Sequence, residues 1–269
     1  MKVSIIGAGN MGGAIARGLA QGHYTEGYEI TVSNPSNEKL EKLKAEFSNI
    51  HTTNNNKEAA TDADIVIVAV KPYKVAEVLK PLRLRQPQIL VSVAAGLTFE
   101  ELAHSVDPEM TIFRVIPNTA ISERASMTLV AARNASDQQK ENILNMFNEM
   151  GRSILIEEKQ FAAATSLTSC GIAYVLKYVQ AAMQAGVELG ISPNVAMQMV
   201  AQTMEGAAQL LLNNEHTHPA LEIEKVTTPG GITIKGVNSL EADGFTAAVI
   251  NAIKALSLIH ISEPTRLRR

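Results

Sequence analysis

The chain has 269 residues, 46% of them hydrophobic, and a formal net charge of −3. This length fits one large domain or two ordinary ones, and the weak negative charge provides no basic surface for nucleic acid or anionic lipid. The single cysteine, Cys170, excludes an internal disulfide framework and a thiolate zinc cage, and we expect no metal site. Because the apolar runs are too short for a bilayer and a strand begins at Lys2, we expect a cytoplasmic protein without a signal peptide.

Residues 1–156 alternate between strand and helix patterns. Strands are predicted at 2–6, 28–34, 64–72, 88–96, 111–118, 127–133 and 153–158. Helices are predicted at 11–21, 37–47, 99–106 and 137–150. This alternation predicts the α/β class, with a parallel, doubly wound sheet.

From about Phe161 the sequence becomes helical. Residues 161–190 are apolar all round and predict a long, largely buried helix, and a second helix follows with Ser192 as N-cap and Pro193 at N1. We predict an all-helical domain at 157–257 that buries its apolar excess against a second copy of the chain, with packing inside one chain as the alternative. Residues 258–269 break the pattern, as a native tail or as vector sequence, and are set aside.

The sequence GAGNMG at residues 7–12 has the G-x-G-x-x-G spacing and directly follows the first predicted strand. In that context Gly7 permits a tight turn, Gly9 lets the backbone approach a pyrophosphate, and Gly12 lets helix and strand pack closely. The phosphate then meets the N–H groups of the helix start. We predict a dinucleotide-binding domain at 1–156, with a glycine turn that serves packing alone as the alternative.

The end of the second predicted strand carries Ser33 and Asn34, where NAD enzymes usually place a carboxylate. Asn34, Ser36, Asn37 and Lys39 can instead donate hydrogen bonds to a 2′-phosphate. The alternative for Lys39 is a solvated position on the next helix. We therefore predict NADPH as the preferred cofactor, with NADH also accepted.

The chain carries six motifs: IGAGNMGGAIARGL at 6–19, VAVKP at 68–72, VSVAAG at 91–96, IPNT at 116–119, TSCGIAY at 168–174 and TTPGGITI at 227–234. Together they resemble the pyrroline-5-carboxylate reductase family over nearly the whole chain, up to about Leu256. The resemblance implies a Rossmann domain followed by a helical dimerisation domain. It also implies NADPH-dependent reduction of L-1-pyrroline-5-carboxylate, a cyclic imine, to L-proline, by a homodimer or a ring of dimers.

The resemblance also implies the site residues. At the cofactor they are Gly7, Gly9, Asn10, Met11, Gly12, Ser33, Asn34, Asn56, Val70, Lys71, Ala94, Ala95, Gly96 and Asn118. At the substrate they are Val226, Thr228, Gly230, Gly231 and Thr233. The chain departs from the family pattern at residues 168–170, Ile116, Ala120, Ile172 and Ile232, which predicts a divergent member with altered substrate tolerance.

An imine substrate and a ketone substrate require different catalytic groups. A ketone needs a positioned acid, whereas hydride addition to a protonated imine neutralises a charge that is already present. All six histidines lie away from the predicted carboxyl ends of the central strands, which favours the imine: His23, His51, His104, His216, His218 and His260. Lys71 stands at such a strand end, where ligands bind, and we assign it to the substrate or a supporting polar network, with an exposed loop lysine as the alternative.

The segment Thr228–Gly231 predicts a helix start, with Thr228 as N-cap and Pro229 at N1. The N–H groups of Gly230 and Gly231 would then be unpaired and would bind the substrate carboxylate facing the nicotinamide. Thr233 would contact the ring nitrogen of the substrate. An ordinary capped helix with a glycine hinge is the alternative.

Two other functions compete with the reductase. A β-hydroxyacid dehydrogenase or imine reductase would use Lys177 as its acid, but Ala181 stands where that family has asparagine. A non-catalytic nucleotide sensor would not need the Thr228, Gly230, Gly231 and Thr233 set that the chain retains.

Overall fold

The computed structural model describes residues 1–22 and 27–262, with side chains described as far as residue 255. His23 and residues 263–269 lie outside the described residues, as does the side chain of His260. By its internal contacts the described chain divides into two compact units, Met1–Cys170 and Gly171–Ser262.

In the described part of the first unit, eight strands form one sheet. The strands are β1 (Lys2–Ile6), β2 (Glu29–Ser33), β3 (Ile50–Thr53), β4 (Ile65–Val68), β5 (Ile89–Ser92), β6 (Thr111–Ile116), β7 (Ser126–Arg133) and β8 (Gly151–Leu155). Their spatial order is β3-β2-β1-β4-β5-β6-β7-β8. All neighbours are parallel except β6 and β7, which are antiparallel. The predicted α/β doubly wound sheet is confirmed, with this one reversal.

The reversal of β7 follows from the length of its connection. Parallel neighbours need a crossover of about a dozen residues or more. Only residues 117–125 separate β6 from β7, and part of that segment, Thr119–Glu123, is a single 3₁₀ turn. The chain therefore returns antiparallel, with Val115 opposite Val130.

Helices cover both faces of the sheet. They are α1 (Asn10–Gln21), α2 (Asn37–Glu46), α3 (Asn56–Thr61), α4 (Val75–Leu79), α5 (Phe99–Ala103), α6 (Asp137–Asn148) and α7 (Phe161–Leu167). All four residues of β4 are buried: Ile65 and Ile67 join one core cluster, and Val66 and Val68 join the other. This alternation explains why a continuous apolar run forms a strand covered on both faces.

Three short elements are absent from the sequence predictions: β3, α3 and α4. β3 has the sequence IHTT, and Ile50 is its one buried residue. α3 has six residues and begins where the Asn55 side chain accepts the N–H groups of Lys57 and Glu58. α4 has five residues. None of the three is long enough to show a hydrophobic period.

The second unit consists of helices. They are α8 (Gly171–Glu188), α9 (Pro193–Leu212), α10 (Pro219–Val226), α11 (Ile232–Ala242) and α12 (Phe245–Ser262). Ser192 precedes α9 as its N-cap and Pro193 occupies N1, as predicted. α12 continues past residue 257, where the sequence analysis set the end of the helical domain.

The predicted single helix at 161–190 is wrong in one respect, because it breaks at residues 168–170 into α7 and α8. The Thr168 hydroxyl donates to the Ala164 carbonyl at 3.0 Å, and the Cys170 N–H turns back to the Thr165 carbonyl at 3.1 Å. Such side-chain bonds compete with the helix ladder. Phe161 in α7 is buried in a sheet cluster, so the first compact unit runs to Cys170, whereas the sequence analysis set its domain boundary after residue 156.

The long helix is also not largely buried within one chain. Among the residues with described side chains, α8, α10 and α11 have no buried residue, and α9 has one, Ala196. Large apolar side chains are instead exposed, including Leu176 at 60% and Leu210 at 57%. The apolar pattern predicts the helices correctly, but within a single chain these apolar side chains are exposed.

Candidate active site

A groove of about 680 Å³ opens at the carboxyl edge of the sheet. It is lined by residues that directly follow four strands: Gly7 after β1, Asn34 after β2, Ala69 after β4 and Val93 after β5. The strand order changes direction between β1 and β4, which is where ligands bind in doubly wound sheets. The groove also brings together nine of the predicted cofactor residues: Gly7, Gly9, Asn10, Met11, Asn34, Lys39, Asn56, Val70 and Lys71.

The glycine turn has the geometry that a bound pyrophosphate needs. Gly7 has φ +105°, and a Cβ there would lie 2.7 Å from the Ala69 carbonyl oxygen. A Cβ on Gly12 would lie 1.9 Å from the Gly7 carbonyl oxygen, so the helix contacts the turn directly. Gly9 is the N-cap of α1 and has open space around its Cβ position. The first N–H groups of α1 therefore face a cradle that an anion can approach.

The predicted polar residues at the end of β2 bond to one another. The Asn34 Oδ1 accepts the Ala8 N–H at 3.0 Å, and its Nδ2 donates to the Ser36 carbonyl at 3.1 Å. The Ser33 hydroxyl donates to the Asn56 Oδ1. These bonds tie the glycine turn to the β2–α2 connection. Through these hydrogen bonds Ser33 and Asn34 fix the position of the groove's rim.

The residues predicted at the nicotinamide end divide into two groups. Val70 and Lys71 line the groove, whereas Ala94, Ala95, Gly96 and Asn118 lie along the same sheet edge, after β5 and β6. Asn118 is buried, and its Oδ1 accepts the Ala120 N–H at 3.0 Å. It therefore shapes the loop after β6.

Lys71 is exposed and lines the groove together with Lys74 and Glu77, which the sequence analysis missed. The 3₁₀ turn Pro72–Lys74 and α4 follow Lys71 directly, and this folds the three charged residues onto one rim. The sequence carries a signal for this rim, because the charged residues Lys71, Lys74 and Glu77 are spaced three positions apart.

The segment between α10 and α11 corrects the predicted helix start. The N-cap of α11 is Gly231, so Thr228 is not the cap and Pro229 is not at N1. The Gly231 N–H is also not free, because it donates to the Thr228 carbonyl at 3.0 Å. Pro229 followed by Gly230 at φ +75° matches a type II turn, which a Pro-Gly pair favours over a helical first turn.

The unpaired N–H donors therefore lie one or two residues later in the chain than predicted. Helix rules leave the N–H groups of Ile232 and Thr233 unpaired, and Thr233 is exposed in the first turn. Gly231 is constrained, because a Cβ there would lie 2.9 Å from the Thr228 Oγ1. The remaining predicted substrate residue, Val226, ends α10 and is 59% exposed.

The histidines with described side chains have other surroundings. His104 Nδ1 hydrogen-bonds the Glu100 carbonyl, and His218 caps α10 through the Ala220 N–H. None of these four described histidines, at positions 51, 104, 216 and 218, lines the groove. Among the described side chains, which end at residue 255, no three His, Cys, Asp or Glu residues gather as metal ligands. In the described part of the chain no helix is long and apolar enough to cross a membrane.

The chain matches two family models and is similar to several reductases. Residues 158–258 match the family model described as pyrroline-5-carboxylate reductase dimerisation, and residues 2–96 match the model described as NADP oxidoreductase, coenzyme F420-dependent. Pyrroline-5-carboxylate reductase 2 of Dictyostelium discoideum is 35% identical, over 94% of this chain and 89% of that protein. The corresponding Bacillus subtilis protein is 32% identical, over 94% and 91%.

One relative is longer. Pyrroline-5-carboxylate reductase 1 of Dictyostelium discoideum is 37% identical over 93% of this chain, and the chain spans about half (48%) of its length. Among solved structures, 1-pyrroline-5-carboxylate reductase from Streptococcus pyogenes has 30% identity and a TM-score of 0.84, with 98% of this chain and 99% of that chain covered. The Plasmodium falciparum pyrroline carboxylate reductase with NADP bound has 28% identity and a TM-score of 0.83, with 97% of each chain covered.

Proposed function

The chain belongs to the pyrroline-5-carboxylate reductase family, and we propose that it reduces L-1-pyrroline-5-carboxylate to L-proline with NADPH. This makes it an oxidoreductase acting on CH–NH bonds, at the last step of proline biosynthesis. The observation that carries the proposal is the identity of 30–37% to reductases over at least 93% of the chain. The low net charge and the single cysteine are consistent with the cytoplasm as its location.

NADPH fits the residues of the groove. The glycine cradle at Gly7, Gly9 and Gly12 leaves backbone room for a pyrophosphate, and the end of β2 carries Ser33 and Asn34 in place of a carboxylate that would repel a 2′-phosphate. Asn10 and Met11 begin α1 at the same place. The nicotinamide would lie toward Val70 and Lys71. The bound cofactor supplies the hydride.

The reaction requires the protein mainly to bind the imine and the cofactor and to orient them. The imine is protonated, so hydride addition at carbon moves the C=N electron pair onto nitrogen and gives the neutral amine without a further proton. Lys71 and Thr233 are then polar contacts for the substrate or its surroundings. This accounts for a chain whose described histidines all lie outside the groove.

The start of α11 is the proposed site of the substrate carboxylate. Thr233 and the adjacent N–H groups occupy the positive end of an eleven-residue helix, and Gly230 and Gly231 present no side chain there. Thr228 supports the turn that precedes the helix. Val226 ends α10 on the other side of the segment.

A homodimer is the proposed minimum assembly, with a ring of dimers as a larger form. Residues 158–258 match the family's dimerisation model, and the same region exposes large apolar side chains in the single chain. Exposed apolar patches of this kind usually mark protein interfaces.

The proposal is tested by following NADPH absorbance with racemic pyrroline-5-carboxylate. We expect NADPH oxidation that depends on both enzyme and imine. Hydroxyacids with NADP⁺ in the reverse direction test the dehydrogenase alternative, and we expect no reaction. Absence of NADPH oxidation by the imine at high enzyme concentration would overturn the proposal.

A further inference from the structure

A second, smaller pocket of about 180 Å³ lies between α1 and α2, beside the cofactor groove. Gly9, Asn10 and Lys39 line both cavities, so the two adjoin each other at these residues. Its volume is below the roughly 300–1,000 Å³ of sites that hold a whole ligand. A pocket of this size next to a larger groove suits one substituent of the molecule in that groove.

The pocket is cationic. Arg17, Lys39 and Lys42 line it, and none of its lining residues is acidic. Their two carboxylate partners, Glu38 and Glu46, lie outside the lining. Counting both partners still leaves one positive charge in excess. The pocket therefore favours an anion.

Arg17 directs one donor into this space. Glu46 engages its Nε at 2.5 Å and its Nη2 at 3.2 Å, in a bidentate pair that fixes the guanidinium plane. The Nη1 atom lies on the other side, against Gly13, 3.2 Å from where a Cβ would be. Gly13 thus leaves room for the guanidinium, and Nη1 remains available to a ligand.

The two lysines lie on the facing surface of α2. Lys42 is bonded to Glu38 at 2.8 Å, and this hydrogen bond raises the pKa of Lys42. Lys39 is exposed three residues earlier. Its position in both cavities lets it reach a group that extends from one into the other.

One of the donors expected from the sequence at the end of β2, the Asn34 side chain, is engaged elsewhere, as is the neighbouring Ser33 hydroxyl. The Ser33 hydroxyl bonds Asn56, and the Asn34 amide bonds both Ala8 and Ser36. A 2′-phosphate at the end of β2 therefore needs further cations. Arg17 and Lys42 supply them within the adjoining pocket.

We propose that the pocket between α1 and α2 binds the 2′-phosphate of NADPH, and that Arg17 and Lys42, together with Lys39, determine the preference for NADPH over NADH. This inference rests on the proposed function, because it concerns the cofactor of that reaction. It adds α1 to the cofactor-specificity determinants, which the sequence analysis had placed at the end of β2 and the start of α2.

The test measures binding of NADPH and NADH to the full chain by titration calorimetry, without imine. We expect Lys42→Ala and Arg17→Gln each to weaken NADPH about tenfold, as loss of one charge-assisted hydrogen bond predicts, and to leave NADH within about twofold. Lys44→Ala is the matched control, since Lys44 is exposed on the same helix and does not line the pocket. It should leave both affinities unchanged.

Two other measurements identify the bound group. ADP-ribose 2′-phosphate should lose affinity in the variants as NADPH does, while ADP-ribose should not. Inorganic phosphate should compete with NADPH and not with NADH. In the variants, reduction of the imine at saturating NADH should persist, which separates a failure of this inference from a failure of the proposed function.

Three results would overturn the inference. Equal losses for NADPH and NADH would place Arg17 and Lys42 at the pyrophosphate or in the fold. Unchanged NADPH affinity in both variants would make them solvated surface cations. Wild-type protein that binds neither dinucleotide would overturn the inference together with the cofactor proposal.

Discussion

Gly12 lies so close to the Gly7 carbonyl that any side chain at this position displaces the turn. A Cβ would approach that oxygen to 1.9 Å, and Gly7 itself needs φ +105° to form the turn. The contact is backbone on both sides, so no rotamer change relieves it. The G-x-G-x-x-G sequence at residues 7–12 is therefore a steric requirement, and each of its glycines meets a different steric constraint.

Gly12→Ala should therefore impair both folding and cofactor binding. We expect overpacking to lower the free energy of unfolding by about 1–3 kcal/mol, and NADPH binding to be lost. Urea unfolding and a fluorescence titration with NADPH measure the two effects. Gly13→Ala is the control for stability, because its Cβ would lie 3.2 Å from the Arg17 Nη1 and 3.8 Å from the Ala8 carbonyl oxygen, without the close backbone approach found at Gly12. Equal stability of the two variants would contradict the steric argument.

Thr233 is the residue through which the proposed substrate site is tested. For Thr233→Ala we expect kcat/KM for the imine to fall about tenfold or more, because a hydrogen bond to the substrate is removed. The Kd for NADPH should be unchanged, since Thr233 lies outside the groove. Unaltered kcat/KM would show that Thr233 serves only the helix start.

At the scale of elements, the start of α11 shows how a local turn overrides a helix rule. Pro229 is compatible with N1 of a helix, but Gly230 at φ +75° completes a turn closed by the bond from the Gly231 N–H to the Thr228 carbonyl. The helix consequently begins at Ile232. A type II turn needs a positive φ at its third residue and a helical first turn needs a negative one, so the sign of φ at Gly230 distinguishes the two structures.

Two glycines of this region make a matched pair. In Gly231→Ala the Cβ would lie 2.9 Å from Thr228 Oγ1 and 3.0 Å from its carbonyl oxygen, so we expect a displaced turn, a raised KM for the imine and unchanged NADPH affinity. Gly236→Ala, inside α11 with open space around it, should stabilise the fold by about 0.5–1 kcal/mol. Steady-state kinetics and thermal unfolding distinguish them. An active Gly231→Ala enzyme with wild-type KM would refute the proposed role of the turn.

At the scale of the whole molecule, the two units differ in what they bury. The sheet unit encloses two clusters of fully buried side chains, one on each face. In the helical unit, large apolar residues such as Leu176 and Met199 are more than half exposed in the single chain. This imbalance is what an assembly of identical chains would remove.

Leu176→Asp tests that assembly. A charge placed in an apolar interface is costly without a partner, so we expect the variant to shift from dimer toward monomer in sedimentation velocity at micromolar concentration. Gln138→Asp, exposed on α6 of the sheet unit, adds the same charge elsewhere and should leave the mass unchanged. A monomeric wild-type protein, or a fully dimeric Leu176→Asp variant, would contradict the proposed interface.

The sequence by itself determined the fold class, the glycine turn and most of the groove. Hydrophobic period and steric need for glycine are local properties, and residues that follow parallel strands meet at one edge whatever surrounds them. Ser192 and Pro193 at the start of α9 were predictable for the same local reason.

Only the tertiary structure decided the reversal of β7, the turn before α11, the exposure of α8 and the pocket that Arg17 shares with Lys42. Each depends on partners distant in sequence or on a competition between two local hydrogen-bond patterns. The sequence predicts only that Arg17 is an ordinary helix residue. In the structure Glu46, 29 positions later, fixes the Arg17 guanidinium beside the groove. A single sequence carries no signal for such a pairing, because it arises from the packing of α1 against α2.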